Sequence, residues 1–278
     1  MTNLSSTSAL VLLWVQHGCY KSRKAQEYLR LLDLSAGQEL YEHCAEVCPY
    51  YHEVIRNRKY GVFHLIEDTL NKNQDICQVV IAGAGLDALG IEAIERYPDI
   101  KIFEIDKGNM GLKSSIFSNL SSSPNPNIHF VEADLCDTPC VDRVLTDRGW
   151  NRKQSTLLIC EGISYYLPQH IVGRLIASLM PSRTIFEFLK REEDLTFEQA
   201  MIARRIFGII LNACKLPEIV RYNYRDVQAS FGMSVLERYS LMRLEQMRTG
   251  SNMFFSTEES GWIEVCLLGK RAADIGKI

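Results

Sequence analysis

The stretch that decides the fold is Gln78-Val79-Val80-Ile81-Ala82-Gly83-Ala84-Gly85-Leu86-Asp87-Ala88. A short β-branched run stops at two glycines, and a helical pattern then continues to Tyr97, where Pro98 closes it. Glycine suits such a junction. It permits a tight turn and lets a ligand approach backbone N–H groups at the positive start of a helix. Taken alone, the string also fits the Gly-x-Gly-x-x-Ala fingerprint of dinucleotide-binding proteins, and a purely structural turn reads the same way.

Working outward, the pattern repeats. Residues 101–105, 128–131, 156–160 and 184–188 form further short β-rich runs, separated by helical segments near 110–120, 141–146 and 168–179. Residues 121–127 are turn-rich. Five strands alternating with helices predict a parallel sheet covered on both faces. Beyond residue 190 the rhythm breaks: residues 190–231 read as helical, most clearly at 197–211. β signals return at 234–239, 253–255 and 262–268, and residues 256–261 between the last two read as a hairpin turn. Upstream, residues 21–32, 38–47 and 62–70 carry apolar positions at helical spacing. The apolar run at 9–15 suits a strand or a core helix and is too short to span a bilayer. The expected architecture is α/β and Rossmann-like: a mainly parallel seven-stranded sheet with an antiparallel C-terminal hairpin. A helical extension covers residues 1–73, and residues 74–278 form the main domain with a helical insertion at about 190–231.

Composition narrows the function class. The chain has 278 residues, 46% hydrophobic and 23% charged, with 31 basic and 34 acidic side chains and a formal charge of −3. That balance offers no electrostatic footprint for nucleic acid, and neither a nucleic-acid nor a membrane partner is expected. The nine cysteines are scattered without a Cys-x-x-Cys pair, so they read as reduced thiols of a cytoplasmic protein, with no metal site. The oligomeric state stays open.

The chemistry lies at the strand ends. In open α/β sheets the carboxyl ends of the strands line the ligand crevice. Asp106 follows the second strand, about 20 residues after the glycines, where a carboxylate accepts from ribose hydroxyls; Glu104 is the neighbouring alternative. Asp134, followed by Leu135, comes after the third strand, and Glu161 after the fourth.

These residues, in this order, carry a resemblance. Arg58-Lys59-Tyr60-Gly61-Val62, the glycine stretch above, Phe103-Glu104-Ile105-Asp106, Asp134-Leu135 and Glu161-Gly162-Ile163-Ser164-Tyr165-Tyr166-Leu167-Pro168 resemble the leucine carboxyl methyltransferase superfamily. That group also includes bacterial O-methyltransferases of natural-product pathways. The resemblance implies a class I methyltransferase that uses S-adenosylmethionine (SAM) and releases S-adenosylhomocysteine (SAH). It implies that Arg58 binds the carboxylate of the methionine moiety and that Gly83 and Gly85 form the turn beneath it. Asp106 would hold the ribose, Asp134 and Leu135 would frame the adenine, and Glu161 would lie by the methionine amino group. By the same resemblance, either Lys21 or Lys24 would match an N-terminal cofactor-contacting lysine, the register between them being open. One departure stands out: the family often has Thr-Arg after Gly-Leu-Asp, where this chain has Ala88-Leu89.

Tyr165 and Tyr166 follow the fourth strand and are the residues expected to act at the acceptor, one pointing in and one packing. The histidines, His17, His43, His52, His64, His129 and His170, stand in no diagnostic motif and are expected to be structural. Residues 190–231, together with the N-terminal helices, are expected to shape the acceptor pocket. The function expected is O-methylation of a carboxylate or hydroxyl on a small molecule. The alternatives are a protein C-terminal carboxylate as acceptor, an NAD-dependent oxidoreductase, and a SAM-binding module without catalysis.

Overall fold

Two glycines after a β-branched run become, in three dimensions, the point where the sheet changes direction. A computed structural model of the chain describes residues 4–16, 18–120 and 125–270. Its strands are β1 (Ile76–Ala82), β2 (Lys101–Asp106), β3 (Ile128–Glu132), β4 (Ser155–Cys160), β5 (Arg183–Leu189), β6 (Ser234–Ser240) and β7 (Ile263–Gly269), in one sheet of order β3-β2-β1-β4-β5-β7-β6. β1 to β5 pair in parallel, and β7 runs antiparallel to both β5 and β6. The chain moves from β1 outward to β3, then returns to lay β4 on the other side of β1. That switch point opens a crevice above the carboxyl ends of β1 and β4.

Alternation along the strands builds two cores. Val79 and Ile81 of β1 join one cluster, while Val80 and Ala82 join the other, as a period of two requires. The first cluster takes in α1 (Ser6–Val15), α2 (Arg23–Arg30), α4 (Tyr51–Lys72) and α5 (Leu89–Arg96), besides Cys44 of α3 (Gln38–Val47) and Phe117 of α6 (Met110–Asn119). It also receives Ala203, Ile206 and Phe207 of α9 (Phe197–Cys214) and Leu244 of α11 (Leu241–Thr249). The second cluster packs α7 (Thr138–Asp147), α8 (Gln169–Leu179) and α10 (Tyr224–Phe231) on the opposite face. The run at 9–15 is therefore helix, started by Ser5, whose side chain accepts from the Ser8 N–H.

The parallel strands, and the seven-stranded total, agree with the expectation from sequence. The tail does so only in part. Residues 253–255 are not a strand: the N–H groups of Phe254 and Phe255 donate to the Glu245 carboxylate at 3.2 and 3.0 Å, and Asn252 donates to the Phe255 carbonyl at 2.9 Å. With those backbone groups taken by side chains, β7 pairs with β6 across the intervening α11. Three apolar residues are too few to display a period, which is why the sequence misleads there. The segment 190–231 is broken as well, with α9 and α10 separated by a non-helical stretch in which Tyr222 bridges Lys190. Residues 121–124 of the turn-rich stretch, and His17, lie outside the described residues.

Candidate active site

The turn after β1 is shaped by its neighbours. Gly83 has φ +67°, and a Cβ there would stand 2.0 Å from Ile163 Cγ2. Gly85 has φ +50° but faces open space, with nothing within 4 Å of a Cβ placed on it. Asp106, at the end of β2, accepts the Gly85 N–H at 3.0 Å on one oxygen and the Gly108 N–H at 3.2 Å on the other. Each oxygen keeps a lone pair for a further donor. Beyond β3, Asp134 accepts the Cys136 N–H at 2.8 Å, a bond that holds its carboxyl below the ordinary range, and Leu135 is buried beside it.

The other wall comes from α4. Tyr51, Ile55, Arg58 and Lys59 fall on one helical face, and all four line the same cavity of about 710 Å³. Arg58 and Lys59 are buried, 5% and 1% exposed. The Arg58 Nε donates to Glu161 at 3.1 Å and its Nη1 to the Tyr165 hydroxyl at 3.1 Å. Lys59 Nζ reaches the Glu161 carboxylate at 2.9 Å and also donates to Asp87, which takes a further bond from the Tyr20 hydroxyl. Behind this cluster sits Glu187 of β5, fully buried, accepting from the Gly162 N–H at 2.6 Å and the Tyr165 hydroxyl at 2.7 Å.

Burial works against every charge here, and the balance differs from group to group. Desolvation opposes ionised Arg58 and Lys59, but the surrounding acidic groups outweigh it and raise both pKa values. Asp87 is likewise disfavoured by burial, yet Lys59 and the Tyr20 hydroxyl hold its carboxyl below the usual range. At Glu187 burial wins over Arg58, and its carboxyl titrates higher than normal.

The cavity collects every site residue singled out from the sequence: Arg58, Gly83, Gly85, Asp106, Asp134, Leu135, Glu161, Tyr165 and Tyr166 all line it. The two tyrosines differ. The Tyr165 hydroxyl is committed to Arg58 and Glu187, whereas no group among the described residues hydrogen-bonds that of Tyr166. Glu104 is not a lining residue; it is fully buried against Lys113. The lysines that line the cavity are Lys59 and Lys107, while Lys24 pairs with Glu95 at 2.7 Å and Lys21 presents its backbone N–H to Glu92 at 3.1 Å. No histidine is among the described residues that line the cavity. Lys59, Asp87 and Glu187 were missed because a buried ionisable side chain looks in sequence like a solvated one, and Tyr20 because it reads as an ordinary core aromatic; only the adjacency of Lys59 to Arg58 and of Asp87 to the glycines hinted at any of them.

The seven-stranded sheet with β7 antiparallel and the crevice at its switch point define a class I methyltransferase fold. Two solved structures share it over nearly their whole length: a DUF574-family protein from Streptomyces avermitilis (TM-score 0.66, 17% identity, 95% of this chain and 97% of that one) and a candidate methyltransferase from Thermobifida fusca (TM-score 0.64, 17% identity, 92% and 97%). The leucine carboxyl methyltransferase family matches residues 32–180, more than half of the sequence, and the chain belongs to that family. It is a SAM-dependent methyltransferase, and SAM is its cofactor; the oxidoreductase alternative is thereby set aside. No curated protein matches the sequence. Among the described residues, no helix is long and apolar enough to cross a membrane.

The crevice fits that cofactor. Gly85 leaves room that a side chain would fill, Asp106 keeps free lone pairs, and the Arg58 Nη2 has no protein partner among the described residues.

Proposed function

We propose that the chain O-methylates a small, largely apolar acceptor at a carboxylate or hydroxyl oxygen. One observation carries this reading: a single cavity is lined both by polar groups and by apolar side chains. The glycine turn, Asp106, Asp134, Arg58 and Glu161 supply the first kind. Leu12 and Trp14 of α1, Tyr51 and Ile55 of α4, and Phe207 and Ile210 of α9 supply the second. At about 710 Å³ the whole space falls in the range of small-molecule sites.

Bound SAM supplies an activated methyl group on sulfur. Arg58 offers its remaining N–H groups to the cofactor carboxylate, in the planar geometry that suits such a group. Asp106 accepts the ribose hydroxyls, Asp134 and Leu135 take the adenine, and Glu161 faces the amino group. Tyr166 presents its free hydroxyl to the acceptor, and Tyr165 keeps Arg58 in register. The apolar lining orients the acceptor and excludes water. A carboxylate acceptor, with a pKa near ~4, is ionised at neutral pH and needs no base. That agrees with the histidine-free lining of the described residues. Residence in the cytoplasm belongs to the same proposal, supported by nine cysteines that are all free thiols.

The family description favours a second acceptor, a protein C-terminal carboxylate. Labelled methyl transfer from SAM into fractionated lysate separates the two: label in small molecules supports the proposal, and label confined to macromolecules overturns it. Release of the label by mild base marks an ester rather than an ether.

A further inference from the structure

Outside the cavity lining, Lys113 in the first turn of α6 and Glu104 in β2 are both fully buried. Lys113 Nζ lies 2.5 Å from Glu104 Oε2 and 3.3 Å from the Gly85 carbonyl oxygen, and it also donates to the Asp87 carbonyl. The ammonium thus pairs with a carboxylate on β2 and donates to two carbonyls of the glycine turn. The other Glu104 oxygen accepts the Gly90 N–H at 2.9 Å, tying the start of α5 to the same pair. A Cβ at Gly90 would stand 2.3 Å from that oxygen, so glycine makes the approach possible. The rings of Tyr28 and Phe130 flank the ammonium at 6.0 and 5.8 Å.

Stability alone does not call for this arrangement, because an apolar pair of the same volume often serves a core as well. What an apolar pair cannot do is orient carbonyls. The peptide unit is planar and trans, so with the Gly85 carbonyl turned to Lys113, the Leu86 N–H points the opposite way. Leu86 lines the cavity. We propose that Lys113 is a positioning residue for the cofactor turn: anchored by Glu104, it holds the Gly85 and Asp87 carbonyls turned towards its own buried ammonium so that the Leu86 N–H is presented to the cofactor. The proposal rests on the crevice being the SAM site.

Two measurements on the full chain test it: SAH affinity by calorimetry, and hydrogen exchange of residues 83–88 without ligand. Lys113→Met is expected to weaken SAH binding by about tenfold, the scale of one charge-assisted hydrogen bond, and to speed exchange in the turn. The double variant E104Q/K113M removes the orphaned carboxylate, so its melting temperature should recover towards wild type while SAH affinity stays low. Wild-type-like affinity in folded Lys113→Met, restored affinity in the double variant, or unchanged exchange at 83–88 would each overturn the assignment. Wild-type chain that does not bind SAH defeats the cofactor site itself, and the exchange result still decides whether Lys113 orders the turn.

Discussion

Replacing Arg58 with alanine tests the centre of the site. The side chain is 5% exposed and makes two bonds, to Glu161 and Tyr165, each 3.1 Å long. Its Nη2 is the part left for a ligand. If it binds the cofactor carboxylate, the loss is that of a charge-assisted contact, about 1.5–3 kcal/mol, or about 10- to 150-fold in SAH Kd. Truncating one member of a buried ion pair costs up to about 3–5 kcal/mol when the other charge is stranded. Here Lys59 stays 2.9 Å from Glu161 and keeps it paired, so the fold should survive with a lowered Tm. Calorimetry with SAH alongside thermal unfolding reads the two effects separately. Arg58→Lys keeps a charge but loses the fork, and should fall between wild type and alanine. A folded Arg58→Ala chain that binds SAH within twofold of wild type refutes the reasoning, because the free guanidinium face would then have no ligand.

Four further outcomes follow from the same geometry. Gly83→Ala should fail to fold or lose much of its stability in denaturant melts, since its Cβ would overlap Ile163, whereas Gly85→Ala should fold at a cost of about 1–2 kcal/mol for the left-handed backbone and show its main effect as weaker SAH binding. Tyr166→Phe should lower turnover with cofactor affinity unchanged, and Tyr165→Phe should lower Tm by leaving buried Glu187 short of a donor; steady-state kinetics and melting curves distinguish them. Asp106→Ala should weaken SAH in calorimetry without unfolding the chain. Glu187 titrates above its ordinary value when folded, so the folded state binds the extra proton and this group's contribution to stability falls as pH rises through that value. The Tm difference between Glu187→Gln and wild type should therefore grow more positive from pH 5 to pH 8; a pH-independent difference contradicts a raised pKa.

Much of the fold was readable because its signals are local. β1 to β5 announce themselves as short β-branched runs, and the glycines mark the turn because few other residues tolerate positive φ. The acids at the strand ends fall into one crevice as a consequence of parallel order, so Asp134 and Glu161 could be placed from their positions after the strands, while spacing left Asp106 and Glu104 both open. Where the deciding interactions join distant positions, the reading stopped short. The triplet at 253–255 has β character, but Glu245 and Asn252 claim its backbone.

The residues themselves determined the alternating strands, the glycine bend, the carboxylates above it and the family. Only the tertiary structure decided that Lys59 rather than Lys21 or Lys24 faces the cavity, that Glu104 is a strut while Asp106 is a lining residue, and that Tyr166 alone of the two tyrosines keeps a free hydroxyl. The reason is physical. A period or a turn is a property of neighbours in sequence, whereas the state of a buried charge depends on what the fold brings against it from 28, 102 or 107 residues away.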